Sequence, residues 1–570
     1  MIRTNKGIKP LRNGHPWFST HPRRATIRYM KFWFFAAFMA AVTAATGWAV
    51  SPEDLRIQGT ALLRRSDETA EFRELPSLRE ATGPNTYLTS VAVSPHDPGH
   101  LLVATTFHGL YESRDGGDSW VDLTDAAAGR PLYRGNGFSE DIAAAAYDPQ
   151  EREILWVELA QEGSRIAIDR ARGVVAERGV DRAVRALQTA LRAPLPPLTP
   201  LTAERQARRE LAADHVSFYL SPWEMEAQRL DRHMRFAREQ GMTAVVIDFK
   251  DDNGRIAYDS ALEPHRSMGA VRNYFDAQRV IDVVQENDLY LIARIVVFKD
   301  RHLFSYDGNR YALWDRRRDA PWGVFRQVTN QETGEEEVRQ VEHWVDPFSE
   351  WVWDYNIAIA EELETLGVDE IQFDYIRTPA DGWVRDIVYR YHDDSPAMAE
   401  DEPFVDDRVE ALSGFLSRAR ERIDIPIGID VFGFNGWYRM SYLGQDIAAL
   451  ARYVDVISPM LYPSHFPREF LGDLPYLEWA EHLYQQGVAR GRRITGDGVL
   501  IRPYIQAFLI GGELQFEEPT YTNYLKHQIR GSLAAGASGF TLWNFSGRYY
   551  MVSRGLWFDQ REAIPATSSP

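Results

Sequence analysis

Three aspartates in the second half of the sequence follow short apolar segments. Asp248, Asp374 and Asp430 each lie at the end of a run of Val, Ile and Phe residues. A carboxylate in such a place is costly to desolvate unless it has a partner or a use. Carboxylates that come close shift one another's pKa values, so one can keep its proton while another is ionised. Cleavage of a glycosidic bond needs such a pair, because one group protonates the leaving oxygen while the other attacks the anomeric carbon or activates water.

The segments that carry these aspartates belong to an alternating pattern over residues 210–560. Apolar segments alternate with amphipathic stretches, which predicts a parallel α/β architecture. Eight predicted strands indicate that this α/β architecture is a (β/α)8 barrel, with insertions at 300–345 and 380–403. A doubly wound sheet is the alternative, but the Gly-rich phosphate turn typical of it is missing. The predicted strands are Val216–Leu220, Thr243–Phe249, Tyr290–Phe298, Glu370–Tyr375, Pro426–Phe432, Val454–Met460, Arg502–Phe508 and Gly539–Trp543. Helices are predicted at Trp223–Gln240, Gln278–Asn287, Trp351–Leu366, Val405–Ile423, Gly444–Tyr453 and Tyr521–Ala535.

Active sites of such barrels lie at the carboxyl ends of the strands, where further candidate residues are found. Aromatic rings there suit stacking on sugar faces, and polar side chains suit sugar hydroxyl groups. The predicted substrate-binding residues are Trp223, Lys250, Lys299, Tyr375, Arg377, Tyr462, His465, Gln506, Trp543 and Asn544.

Other interpretations of these residues are open. Each aspartate could cap the following helix or pair with a nearby Arg or Lys. Lys250 or Lys299 could form a Schiff base, although an ion pair with Asp248 or Asp374 is the favoured expectation. The segment 251–254 lacks the acidic spacing of a calcium-binding loop, and we predict a turn there. The histidines are not spaced as in zinc-binding motifs. We therefore expect neither a metal nor a cofactor.

An Asp-box-like motif marks the region 51–192, which we predict to be β-rich. Residues 113–120, SRDGGDSW, fit the pattern S-x-D-x-G-x-x-W found on hairpin turns of β-propeller (BNR-like) blades. The region has room for two or three blades, fewer than a propeller needs to close. A helix is predicted over Val174–Leu191, and the Pro-rich stretch that opens 193–209 predicts a linker.

Composition and the first 49 residues bear on localisation. Residues 1–49 carry eight basic and no acidic residues and end in an apolar run, which predicts a secretory signal peptide or, if uncleaved, a membrane anchor. The 570-residue chain has a net charge of -18 and no Cys, which disfavours nucleic-acid binding and excludes disulfides and thiolate chemistry. We expect an exported protein, in the periplasm, at the cell surface or outside the cell.

Three motifs in order resemble a known family. VIDFKD (246–251), IQFDYIR (371–377) and DVISPMLYPSH (455–465) resemble a bacterial family of inferred glycoside hydrolases, long classed as a domain of unknown function and assigned a TIM-barrel fold. The resemblance implies hydrolysis of a polysaccharide. Related barrel glycosidases often carry a catalytic carboxylate at the end of strand 4, which implies Asp374.

Two further points qualify the catalytic assignment. Many retaining relatives add a Glu at strand 7, where Gln506 stands here. We expect Asp374 and Asp430 to form the catalytic pair, with Asp248 as the reserve. The alternative function is a non-catalytic carbohydrate-binding or cell-envelope scaffold protein, and a Lys-dependent lyase is a third reading.

Overall fold

The computed structural model describes residues 50–556, except for 67–68, 84–85, 107, 128–131, 136–137, 141, 160–163, 177–179, 193–200, 330–333, 393–404, 497 and 554–555. The predicted leader at 1–49 lies outside the described residues, as does most of the predicted linker. The chain divides into two compact units, and the main division falls between Ala193 and Pro194.

The larger unit is built on eight parallel strands. They are β1 (His215–Leu220), β2 (Ala244–Lys250), β3 (Tyr290–Val296), β4 (Glu370–Asp374), β5 (Ile427–Phe432), β6 (Val456–Met460), β7 (Tyr504–Gln506) and β8 (Gly539–Trp543). Each strand pairs with the next one, and β8 pairs with β1, so the sheet closes. A two-residue strand, Leu500–Ile501, also pairs with β6. All eight predicted segments form strands, and the predicted (β/α)8 barrel is confirmed.

Among the described residues, helices follow seven of the eight strands, and one precedes β1. In the described part of the chain no helix is long and apolar enough to cross a membrane. The helices of this unit are Ala203–Ala212, Ala227–Gln240, Glu263–Ser267, Ala277–Glu286, Arg301–Ser305, Glu350–Leu366, Val405–Arg422, Ile447–Leu450, Tyr476–Thr495 and Glu518–Ala534.

Two predicted helices and the linker need correction. The predicted helix Gly444–Tyr453 is a single turn, Ile447–Leu450, which starts where the Asp446 side chain accepts hydrogen bonds from two backbone N–H groups. The predicted helix Trp223–Gln240 begins only at Ala227, after a 3-10 turn. The predicted linker is too long, because the helix Ala203–Ala212 begins within it. Its Arg205 donates to the carbonyl oxygens of Ala451 and Val454, which fastens this helix to the barrel unit.

The two predicted insertions form β structure of their own. After β3, a hairpin pairs Val324–Thr329 with Glu336–Glu342. A three-stranded sheet pairs Trp314–Asp315 with both Ala320–Pro321 and Ile387–Val388, so the insertions after β3 and β4 are joined.

The smaller unit is β-rich. Its strands are Leu55–Gln58, Ala61–Arg64, Arg73–Glu74, Leu88–Val93, Leu101–Thr105, Leu110–Ser113, Val121–Asp122, Tyr133–Gly135, Phe138–Ser139, Ile142–Tyr147, Ile154–Leu159, Arg165–Asp169, Val174–Ala176 and Leu191–Arg192, and its helices are Pro76–Thr82 and Val180–Leu187. The predicted helix Val174–Leu191 was wrong at both ends. Val174–Ala176 pairs as a strand with Ala167–Asp169 because two β-branched residues suit a sheet edge.

The Asp-box-like segment forms a hydrogen-bonded turn. The Asp115 carboxylate accepts from the Ser119 N–H at 2.9 Å and from the Ser113 hydroxyl at 2.8 Å. The Trp120 indole N–H donates to the Gly117 carbonyl oxygen at 3.2 Å. These contacts tie the turn together, while membership of the Asp-box class stays a prediction.

Candidate active site

Arg294 of β3 lies between two of the predicted aspartates. Its Nη1 donates to Asp248 Oδ1 at 2.5 Å, and its Nε donates to Asp374 Oδ2 at 3.0 Å, with Nη2 donating to the same oxygen. The three side chains are almost entirely buried, each with 6% of its area exposed. A buried carboxylate needs a paired charge, and one guanidinium here serves two carboxylates.

Asp430 of β5 completes the group. Its Oδ2 lies 3.8 Å from Arg294 Nε and accepts a hydrogen bond from the Tyr504 hydroxyl at 3.3 Å. Among the described residues its Oδ1 has no hydrogen-bond partner. The predicted aspartates are therefore brought together around Arg294, which lies closer to Asp248 and Asp374 than to Asp430.

The environments of the carboxylates differ. Burial, followed by the charge of Asp374, raises the pKa of Asp430 well above its usual value, and Arg294 is too far away to offset them. Burial also raises the pKa of Asp248 to about 6, against the opposing effects of Arg294 and Tyr219. Asp374 accepts three hydrogen bonds, two from Arg294 and one at 2.5 Å from the Tyr375 N–H. Asp430, whose pKa is raised, therefore lies beside a carboxyl group that binds the Arg294 guanidinium directly.

The peptide after Asp374 has an unusual backbone conformation. Tyr375 has φ +50°, a region that non-glycine residues seldom occupy. The N–H of the same residue donates to the Asp374 carboxylate. Strained backbone of this kind concentrates at functional sites, so the observation agrees with a catalytic place for Asp374.

Aromatic side chains border the carboxylates. The half-buried ring of Trp543 lies 4.0 Å from the Tyr219 ring and 5.4 Å from the guanidinium of Arg294. The Tyr219 hydroxyl donates to Asp248 at 2.7 Å. Tyr462 is 6% exposed, and its hydroxyl has no hydrogen-bond partner among the described residues.

The lysine expectation was wrong. Lys250 is fully buried and pairs with Asp300 at 2.8 Å, also donating to the Val296 carbonyl oxygen at 2.6 Å. Lys299 pairs with Asp252 at 3.2 Å. Both lysines therefore find acidic partners other than Asp248 and Asp374.

Two predicted binding residues have their polar groups used within the protein. Gln506 is buried, and its amide accepts from Ser464 and donates to Glu513 at 2.7 Å. Asn544 donates to two backbone carbonyl oxygens and accepts from Ser546. Both side chains hold loops at the carboxyl ends of β7 and β8.

The other predicted binding residues occupy varied surroundings. Arg377 is half-buried, with its guanidinium 4.6 Å from the Trp344 ring. His465 is exposed and lies 5.3 Å from the Tyr462 ring. Trp223 is 53% exposed, and its ring lies 4.2 Å from the Tyr274 ring with 46° between the two planes. Tyr375 is half-buried, with Lys299 Nζ 4.8 Å from its ring centre.

Sequence reasoning missed Arg294, Tyr219 and Tyr504. A signal for Arg294 was present, because it is the one charged residue in the otherwise apolar run 290–298. A buried cation in a barrel strand implies acidic partners on neighbouring strands. The tyrosines gave no comparable signal, since buried tyrosines are common in large cores.

A protein-family comparison adds an independent observation. The family model described as "Putative glycosyl hydrolase domain" matches residues 217–549, more than half of the chain. The chain belongs to this family. The matched range begins in β1 and ends after β8, so the barrel is the glycosyl hydrolase domain. The resemblance drawn from the three motifs is confirmed, and so is the enzyme class.

Searches of known proteins give further similarities. No curated protein matches the sequence significantly. Among solved structures, a hypothetical protein from Ruminiclostridium thermocellum is 27% identical, with 38% of this chain and 97% of that chain covered and a TM-score of 0.30. The PgaB (BpsB) glycoside hydrolase domain from Bordetella bronchiseptica is 13% identical, with 62% and 99% covered and a TM-score of 0.41. A trehalose-6-phosphate hydrolase from Bacillus licheniformis is 11% identical, with 58% and 64% covered and a TM-score of 0.35.

Proposed function

We propose that this glycosyl hydrolase domain cleaves a polysaccharide with Asp374 and Asp430 as its catalytic pair. The proposal rests on the different contacts that Asp374 and Asp430 make with the Arg294 guanidinium. Asp374 accepts two hydrogen bonds from the guanidinium, whereas Asp430 lies 3.8 Å from its Nε and is buried. Asp374 is then the ionised partner, and Asp430 holds the proton.

The reaction follows from these two states. Asp430 gives its proton to the glycosidic oxygen as the bond from that oxygen to the anomeric carbon breaks. An oxygen of Asp374 forms a bond to the anomeric carbon in the same step. Water then attacks that carbon, Asp430 takes back a proton, and the bond to Asp374 breaks. Asp248 and Tyr219 act as positioning residues, because they hold Arg294 and do not touch Asp430.

The surroundings support a sugar-polymer substrate. The half-buried rings of Trp543 and Tyr375 flank the carboxylates and can stack on sugar faces. Among the described residues, the buried Tyr462 hydroxyl and Oδ1 of Asp430 have no hydrogen-bond partner, and a substrate hydroxyl or the glycosidic oxygen would supply one. The basic and apolar start of the sequence favours export, where extracellular polysaccharides are met.

A reducing-end release assay tests the proposal. The purified protein, Asp374→Asn, Asp430→Asn and the control Asp282→Asn would be incubated with bacterial and plant polysaccharides. Asp282 is an exposed residue of the helix Ala277–Glu286, so its variant makes the same chemical change away from the site. We expect release by the parent and the control and at least about a hundredfold less by the two site variants.

Two other results would count against the proposal. Full activity of a folded Asp374→Asn protein would remove Asp374 from the chemistry. Glycan binding without release in the parent would favour the non-catalytic scaffold. Circular dichroism of each variant separates loss of chemistry from loss of folding.

A further inference from the structure

A basic cavity lies beside the barrel mouth. Arg255, Arg272, Arg301 and His302 line it, together with Tyr306 and Asp307. Three arginines therefore line one cavity in a chain whose net charge is -18. An anionic group would therefore bind more favourably here than on the rest of the acidic surface.

The arginines of this cavity are poorly neutralised. Among the described residues, neither Arg272 nor Arg301 has a carboxylate within ion-pair distance, and Arg255 lies 3.8 Å from Asp251. The one acid lining the cavity, Asp307, is exposed and has Arg310 at 3.4 Å. The nearby Asp300 is buried and pairs with Lys250, so part of its charge is offset there. The cavity therefore carries excess positive charge.

His302 adds a hydrogen-bond donor. Arg272 Nη2 donates to His302 Nε2 at 3.1 Å, and since a guanidinium only donates, the ring is neutral with its proton on Nδ1. Burial lowers the pKa of His302, and the neighbouring arginines act in the same direction against Asp300. The cavity thus offers fixed guanidinium charges and one neutral N–H.

An aromatic row continues from the cavity. The ring of Tyr306, which lines the cavity, is parallel to the rings of Tyr311 and Trp351. Tyr311 and Trp351 stack at 4.4 Å with 8° between their planes, and Tyr391 extends the row. Tyr306 and Trp351 are 37% and 38% exposed. Large, parallel, exposed rings are suited to stacking on successive sugars of a glycan chain.

Short contacts connect the cavity with the catalytic carboxylates. Tyr375 follows Asp374, and Lys299 Nζ lies 4.8 Å from its ring centre. Lys299 contacts Asp252 at 3.2 Å, and Asp252 accepts from the side chain of Asn253, which lines the cavity. A glycan bound at the carboxylates could therefore continue over these residues into the cavity.

We infer that the cavity binds an anionic group of the glycan, a uronate carboxylate or a sulfate ester, while Tyr306 and Trp351 stack on neighbouring sugars. This inference rests on the proposed function and narrows its substrate class to acidic polysaccharides. A planar guanidinium recognises carboxylate and sulfate oxygens through paired hydrogen bonds, and three of them select an anionic chain over a neutral one.

Calorimetric binding to the Asp374→Asn protein tests the inference without interference from cleavage. The probes are oligogalacturonate, its methyl ester, which has the same sugars without the charge, sulfated dextran and inorganic phosphate. Arg272→Gln/Arg301→Gln is compared with Arg232→Gln/Arg235→Gln, which removes the same charge from exposed positions of the helix Ala227–Gln240.

We expect oligogalacturonate or sulfated dextran to bind roughly tenfold or more tightly than uncharged glycan, with affinity falling as salt rises. The cavity variant should lose that difference, and the control should keep it. Trp351→Ala should weaken binding of charged and uncharged glycans alike.

Three results would overturn the inference. Equal binding of oligogalacturonate and its ester, with no binding of sulfated dextran, would leave the cavity without an anionic ligand. Binding of phosphate alone would make it a small-anion site. An unchanged cavity variant would place the charge selectivity elsewhere. Because no arm measures cleavage, each result is independent of the proposed catalytic activity.

Discussion

Arg294 donates to one oxygen of Asp374 from both Nε and Nη2, and this double contact sets the charge of the site. The same guanidinium holds Asp248 with its third nitrogen. One cation therefore faces three carboxyl groups, and burial raises the pKa of Asp430, the group at the longest distance, well above its usual value.

Removing the guanidinium should destabilise the fold. Arg294→Gln leaves Asp248 and Asp374 buried without a cation, and losing one partner of a buried ion pair costs about 3–5 kcal/mol. Urea denaturation at neutral pH measures the loss. The double variant Arg294→Gln/Asp248→Asn should regain part of it, because one uncompensated charge is gone. Equal stability of the parent and Arg294→Gln would contradict the ion-pair network.

Tyr504 should control the basic limb of the pH–rate profile. Its hydroxyl hydrogen bond lowers the pKa of Asp430, although burial and Asp374 raise that pKa more. Tyr504→Phe removes the lowering effect, so Asp430 should keep its proton to higher pH and the basic limb of kcat should move upward. Tyr484→Phe is the control, because its hydroxyl donates to the Tyr504 carbonyl oxygen and not to Asp430. A downward or absent shift would remove Asp430 as the acid.

The sequence predicted the barrel well because each strand is a short apolar run followed by polar residues. Strands of this kind, buried on both faces, leave a clear pattern. Helix ends were harder to predict, since local hydrogen bonds decide them, as at Asp446. The predicted clustering of Asp248, Asp374 and Asp430 agrees with the geometry, because strand ends meet at one mouth of a barrel.

The partners of those residues were less predictable. Lys250 is close to Asp248 in sequence and Lys299 follows the next strand, yet they pair with Asp300 and Asp252. Asp248 and Lys250 are two residues apart on β2, but the pairing of β2 with β3 shifts register between them, so the regular alternation of faces does not place Lys250 beside Asp248. Arg294, two strands before Asp430 in the sheet, is the cation that reaches the site.

The anomeric configuration of the product should be retained. Asp374 Oδ2 and Asp430 Oδ2 lie 3.0 and 3.8 Å from the same nitrogen, so at most 6.8 Å separates them, a limit that overlaps the inverting range only at its lower edge. Retaining enzymes hold their carboxyl groups about 5–5.5 Å apart, whereas inverting enzymes need roughly 6.5–9.5 Å for a water molecule. Proton NMR of the first product, recorded before mutarotation, decides the matter. Initial formation of the opposite anomer would replace the covalent step with direct attack by water.

Lys250 and Asp300 should contribute to stability rather than to chemistry. Both side chains are completely buried, and Asp300 also accepts from the Leu303 N–H at the start of the helix Arg301–Ser305. Asp300→Asn would leave Lys250 charged and unpaired, with an expected loss of about 3–5 kcal/mol in the free energy of unfolding.

The same substitution at the other lysine pair is the matched control. Asp252 pairs with Lys299 but is 44% exposed, so Asp252→Asn should cost no more than about 1 kcal/mol. Urea denaturation compares the two variants under identical conditions. In a separate test, borohydride treatment with substrate should trap no adduct on Lys250, because its Nζ is buried and hydrogen-bonded. Equal, small losses would show that the buried pair adds nothing to stability, and a trapped adduct would restore the Schiff-base interpretation.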